Sequence, residues 1–178
     1  MEQIVIVDEN DNMIGEEEKE KCHDGNGILH RAFLAMVFTD KGKLILTKRS
    51  NTKRLWPGFW DGSVASHVFL GEDYEQASQR RLQQEIDLHT DDVEYLSKFH
   101  YKVGYRNIGT EHEICAITKV KSVDVARINL NRDEISDMRV ISLQELKVDC
   151  DTNGNIYTPW LKLAVEHVSK MNYKDLTE

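Results

Sequence analysis

The stretch Trp56–Leu88, WPGFWDGSVASHVFLGEDYEQASQRRLQQEIDL, constrains the fold more than any other part of the chain. Gly71-Glu72 forms a loop that enters a segment with helical spacing, Asp73 to Ile86. Ala77, Leu82 and Ile86 fall on core-compatible positions of that helix, and its opposite face is charged. Gly62 to Val68, just before it, reads as a strand or extended loop.

Strand patterns surround this helix. Ile4–Val7, a turn over Asp8–Asn12, and Met13-Ile14 read as an opening hairpin. Ala32 to Phe38 and Lys43 to Lys48 read as strands joined at Asp40-Lys41-Gly42. Tyr95–Val103, Glu111–Val120 and Met138–Ile141 add three more. Ser142–Leu146, opening on the capping-box pattern Ser-Leu-Gln-Glu, and Pro159–Met171 read as helices. These elements predict an α/β (α+β) fold, a mixed β-sheet sandwich with one long charged helix and a C-terminal helix. Without repeat, low-complexity tract or Pro/Gly linker, residues 1–178 are expected to form a single domain.

A net charge of −8 argues against broad binding to nucleic-acid phosphates. The cations are unevenly placed, however: Lys48, Arg49, Lys53 and Arg54 cluster, and Arg80-Arg81 follow. A small basic pocket in an acidic protein points to a small anionic ligand, and two solvated basic patches are the alternative. No apolar run is long enough to span a bilayer, and the acidic Met1–Glu20 contains no apolar secretory core. A cytoplasmic protein, monomeric or a weak homodimer, is the expectation. Cys22, Cys115 and Cys150 lie far apart without a CxxC, so reduced thiols are expected.

Gly71-Glu72, then seven residues, then Arg80-Arg81-Leu82-Gln83-Gln84-Glu85 resembles the Nudix box, a loop–helix–loop that holds divalent metal against a diphosphate. A helix can align carboxylates at i, i+3 and i+4, and Mg²⁺ favours oxygens shared with substrate phosphates. The hydrolase form of the box places Arg-Glu and Glu-Glu where this chain has Arg80-Arg81 and Gln84-Glu85. Ser66 and Asp87 stand at two of its glycine positions. Together with LHRAF at Leu29–Phe33, WPGFW at Trp56–Trp60 and Thr110-Glu111-His112-Glu113, the pattern is similar to the type I isopentenyl-diphosphate isomerases, a Nudix-fold family. The resemblance covers about Ile4 to Trp160.

The resemblance implies a role for each matching position. His23, His30, His67, Glu111 and Glu113 match the ligands of one divalent ion. Imidazole with carboxylate suits Mn²⁺, Zn²⁺ or Mg²⁺. Glu111 and Glu113, two apart on a strand, point to one face. Lys19, Arg49, Lys53 and Arg81 match positions that hold the diphosphate, and Glu85 matches the residue that reaches a second Mg²⁺ carried by it. Glu113, supported by the Tyr101 hydroxyl, matches one acid/base member. Trp160 matches an indole whose π-face steadies a carbocation.

The opposite acid/base member is a cysteine in the family, and Ala65 stands at that position. A methyl group cannot exchange a proton. Cys115 is expected on the face of Glu111 and Glu113, the wrong side. Cys22 adjoins His23, and Ser63 is expected on the strand face of Ala65, where it could position a water. Three functions therefore stay open: a prenyl-diphosphate isomerase with an altered acid, a metal-dependent Nudix pyrophosphohydrolase, and a non-catalytic diphosphate-binding protein.

Overall fold

The computed structural model describes residues 2–171 and Leu176. The chain runs through β1 (Gln3–Val7), β2 (Met13–Glu18), α1 (Lys19–Cys22), β3 (His30–Thr39), β4 (Leu44–Arg49), β5 (Trp60–Asp61) and β6 (Val64–His67). It continues through α2 (Tyr74–Ile86), β7 (Glu94–Tyr105), β8 (Gly109–Val123), β9 (Ile135–Ile141), α3 (Leu143–Thr152) and α4 (Pro159–Val168). Among the described residues the nine strands form one mixed sheet.

β3 organises that sheet. Along one edge it pairs in parallel with β8, from His30↔Glu113 to Thr39↔Val123. Along the other it meets three strands in succession: β1 at Ile6↔His30, β6 from Ala32↔His67 to Ala35↔Val64, and β4 at Val37↔Ile45 and Phe38↔Leu44. β4 then splays away to pair with β5 and β9. Both faces of β3 are covered, which explains why AFLAMVF reads as an unbroken apolar run rather than an alternation. Ala32, Leu34, Met36 and Phe38 pack with Leu146, Leu161, Ala164, Val165 and Val168 of α3 and α4. Phe33, Ala35 and Val37 pack with Ala77, Leu82 and Ile86 of α2.

α2 begins as its sequence dictates. Asp73 accepts from the Gln76 amide, and the Gln76 side chain accepts from the Asp73 amide, a reciprocal cap. The helix ends on Asp87, which takes the left-handed conformation at φ 56°, a state that Asp tolerates better than most side chains. Element ends depart further from the expectation. β9 starts at Ile135, three residues early, because ladder pairing with Arg49 extends beyond the apolar pattern. α3 continues to Thr152 on an exposed, charged face that carries little periodic signal.

One expectation is corrected. Ser63 is not on the strand face of Ala65: it lies in the break between β5 and β6 and is fully buried. Its hydroxyl donates to the Ile45 carbonyl and accepts from the Val37 amide, so it positions no water in the cavity described below. The break forms where the chain crosses Leu34; a Cβ at Gly62 would fall 2.4 Å from Leu34 Cδ1.

Candidate metal centre and anion pocket

Register brings together residues that are far apart in sequence. His30 opens β3 and sits opposite Glu113 on β8. His67 closes β6 opposite Ala32, two residues beyond His30 on β3 and so on the same face. His23 follows α1, and its loop is seated on the start of β8 by the Thr110 amide, which donates to the His23 carbonyl at 2.9 Å. Gly109 permits that approach, since a Cβ there would lie 2.7 Å from the His23 carbonyl oxygen. His23, His30, His67, Glu111 and Glu113 thereby place their ligand atoms within 4.8 Å of one another. The three imidazole centroids are 4.9 to 5.1 Å apart.

The donor set fits a divalent ion. Nδ1 of His23 lies 2.6 Å from the Lys19 carbonyl, and Nδ1 of His30 lies 2.7 Å from the Ile28 carbonyl. A proton on each Nδ1 satisfies that carbonyl and leaves Nε2 as the lone-pair donor, the usual support of a metal-ligating imidazole. His30 Nε2 and Glu111 Oε2 are buried without an aligned hydrogen-bond partner. His23 Nε2 is 2.9 Å from Glu111 Oε2, and His30 and His67 Nε2 are each 3.4 Å from Glu113 Oε1. Burial lowers the His23 pKa, but Glu111 and the Lys19 carbonyl outweigh it and push it up to about 9. Burial beside two other imidazoles holds His67 well below its ordinary value.

Beside these ligands, Tyr101 on β7 donates a 2.6 Å hydrogen bond to Glu113 Oε2. Burial raises the Glu113 carboxyl, but His30 and Tyr101 outweigh it and hold it below the usual range. Burial and the Glu113 charge drive the Tyr101 hydroxyl well above its ordinary value. Both residues line a cavity of about 360 Å³, shared with His23, His67, Glu111, Ala65 and Trp160. Lys19, Arg49, Lys53 and Arg81 open into it as well. Cys115 is on the Glu113 face of β8 two residues along, as expected, and burial lifts its pKa well above normal. Burial likewise pushes Cys22 up to about 11.

Two neighbouring arginines divide their tasks. Arg80 grips Glu72 at 2.6 and 2.9 Å and lies 3.8 Å over the Phe69 ring, bracing the Gly71-Glu72 loop. Arg81 lines the cavity, and Glu85 Oε1 accepts from its Nε and NH2 at 2.9 and 2.6 Å. Glu85 therefore stands beside the cation cluster, outside the five-residue group.

Sequence reasoning missed two carboxylates. Buried Asp61 accepts from Trp160 Nε1, Thr158 Oγ1 and Arg49 at 2.7, 3.1 and 3.1 Å. Burial raises its carboxyl pKa despite these partners. Glu134 bridges Lys53 and Arg81. An acid inside the aromatic run WPGFWD was a usable signal for Asp61; nothing local marked Glu134.

A family model described as the NUDIX domain matches residues 28–161, so the fold and site define a Nudix protein. The chain is 34% identical over 163 residues to isopentenyl-diphosphate Delta-isomerase 1 of Photorhabdus laumondii, covering 91% of this chain and 92% of that protein. It is 35% identical to the corresponding protein of Mesocricetus auratus, covering 93% and 81%. The chain belongs to the isopentenyl-diphosphate Delta-isomerase family. Among solved structures, DR0079 from Deinococcus radiodurans superposes with a TM-score of 0.75 at 20% identity, covering 93% of this chain and 98% of that one. The MutT protein from Methanosarcina mazei Go1 gives 0.66 at 16%, covering 80% and 94%. These two share the fold.

Proposed function

We propose that this chain binds a prenyl diphosphate with divalent metal and interconverts isopentenyl and dimethylallyl diphosphate, at a rate limited by Ala65. The observation that carries this reading is the Tyr101–Glu113 pair, set among five metal-fitting side chains, four of which line one cavity with five cations. Lys19, Arg49, Lys53 and Arg81 hold the diphosphate, and Glu85, beside Arg81, would help hold a Mg²⁺ carried with it. Glu113 moves the proton on one face of the alkene, with the Tyr101 hydroxyl steadying its carboxylate. The Trp160 π-face steadies the tertiary cation between protonation and deprotonation. His23, His30, His67, Glu111 and Glu113 would hold a divalent ion, whose positive charge would lower the basicity of Glu113.

On the opposite face Ala65 offers no proton, so a water takes that part. Loss of a positioned proton-transfer group costs on the order of 10²–10⁴-fold. Isopentenyl diphosphate is therefore assayed with Mg²⁺ and Mn²⁺ on this chain and on Ala65→Cys, reading isomer formation and phosphate release. Slow isomerisation that rises by that factor in Ala65→Cys is expected. Isomerisation by neither chain would sink the isomerase reading, and accompanying phosphate release would bring the pyrophosphohydrolase forward.

A further inference from the structure

We propose that Glu134 occupies the seat of a ligand phosphate, and that an incoming diphosphate displaces it from Lys53 and Arg81. The inference rests on reading the cavity as a diphosphate site and adds the residue that sets its affinity.

Each of the five cavity-lining cations already carries a carboxylate. Lys19 pairs with Glu2 at 3.0 Å, Arg49 with Asp61 at 3.1 Å, Lys53 with Glu134, Arg54 with Glu20 at 2.8 Å and with Asp24, and Arg81 with Glu85 at 2.6 Å and Glu134 at 3.3 Å. The positive charge of the pocket is thus already matched by carboxylates. A new anion must therefore exchange with a carboxylate already in place.

The partners differ in how firmly they are held. Asp61 and Glu85 have side chains only 4% and 6% exposed. Asp61 also accepts from Trp160, Thr158 and the Gly62 amide. They are fixed struts. The Glu134 side chain is 26% exposed and itself lines the cavity. Its two oxygens reach different cations, Oε2 to Lys53 and Oε1 to Arg81, the bridging arrangement a phosphate group makes with two donors.

Glu134 can leave without disturbing the backbone. Its amide donates to the Asn131 carbonyl at 3.1 Å, and its carbonyl accepts from the Ser50 amide at 2.9 Å. The main chain is thus anchored by bonds that do not involve the side chain. Burial opposes ionisation of Glu134, but Lys53 and Arg81 bring its pKa down to about 2. The counter-anion is therefore present throughout the neutral range. A diphosphate carries more charge and more acceptor oxygens than one carboxylate, so it wins the exchange, at an affinity reduced by the fraction of molecules in which Glu134 holds the seat.

The test is calorimetric titration of inorganic pyrophosphate, at fixed ionic strength, first without and then with Mg²⁺. It compares the chain with Glu134→Gln, Glu134→Ala and Asp151→Asn. The last removes a carboxylate from Lys147, and neither residue lines the cavity. Without Mg²⁺, roughly tenfold tighter binding by both Glu134 variants is expected, with Asp151→Asn unchanged. Unchanged or weaker binding by both Glu134 variants, while the unaltered chain binds, overturns the displacement and makes Glu134 an orienting strut. Weakening confined to the Mg²⁺ series also overturns it, by making Glu134 a metal ligand. Absence of pyrophosphate binding in every protein refutes the diphosphate site itself, and this inference with it.

Discussion

Trp160 Nε1 donates a 2.7 Å hydrogen bond to Oδ1 of Asp61, 99 residues earlier in the chain, while Oδ2 of the same carboxylate accepts from Arg49. One buried acid thus fixes both the indole proposed to face the substrate's carbon skeleton and a guanidinium proposed to hold its phosphates. Arg49 donates its remaining bonds to the Leu55 and Trp56 carbonyls, and its guanidinium carbon lies 5.2 Å from the Trp160 ring centroid. The spacing between the two ends of the cavity is therefore set by Asp61.

Asp61→Ala should destabilise the fold by about 3–5 kcal/mol, the usual cost of stranding a buried cation. The Arg49 and Asp61 side chains are only 14% and 4% exposed, so water does little to compensate. For a chain of 178 residues each kcal/mol corresponds to roughly 2–4 °C in Tm, so a fall of several degrees is expected. Thermal unfolding by circular dichroism measures it. A Tm within a degree of the unaltered chain would mean that Arg49 finds another partner.

Metal uptake should relieve two polar atoms that are buried without an aligned partner, His30 Nε2 and Glu111 Oε2. One divalent ion per chain is expected by elemental analysis after Mn²⁺ or Zn²⁺ loading, together with a higher Tm that falls on chelation. His30→Ala and Glu111→Gln should each lose most of the bound ion. His112→Ala, between the two glutamates but outside the ligand group, should keep it. Equal metal content in all four proteins would locate the ion elsewhere.

The fold was legible where one principle acts over a short span. Asp73 with Gln76 at a helix start, and an apolar run on β3, are local signals, and both elements appear within two residues of expectation. The five candidate ligands came from motif order, and the β3–β8 and β3–β6 registers bring them together. Asp61 and Glu134 escaped because their partners lie 99 and 81 residues away, a separation no periodicity encodes. Ser63 was misjudged for the opposite reason: alternation was extended through Gly62, where the strand in fact breaks.

Alkaline pH should weaken the protein between about pH 9 and 11. Burial pushes Cys22 and Cys150 from the ordinary 9.0 up to about 11. The folded state therefore keeps protons that the unfolded chain releases, and stability is full below pH 9 and is lost as pH climbs through 11. For fully buried Cys22 the loss approaches roughly 2–3 kcal/mol. Denaturant midpoints across this window should fall, and Cys22→Ala should flatten part of the decline. Alkylation reports the same property: at pH 8, Cys150 should react on the order of a hundredfold more slowly in the folded protein than in urea. Equal rates would mean that its thiol is not shielded.

Tyr101→Phe separates the proposed proton chemistry from metal binding. The lost hydroxyl donates to Glu113 Oε2, whereas the contacts of Glu113 with His30 and His67 run through Oε1. The substitution therefore leaves the oxygen facing the imidazoles untouched, and metal content should stay at that of the parent. A hydrogen bond to a charged acceptor contributes about 1.5–3 kcal/mol, so isomerisation should fall roughly 10- to 150-fold if that bond is made in the transition state. The measurement belongs in the Ala65→Cys background, where turnover is expected to be fast enough to follow such a loss. A fall in kcat with KM and metal content unchanged fits Tyr101 acting through Glu113. A fall that tracks metal content instead would make the hydroxyl a support for the metal centre and remove it from the proton-transfer step.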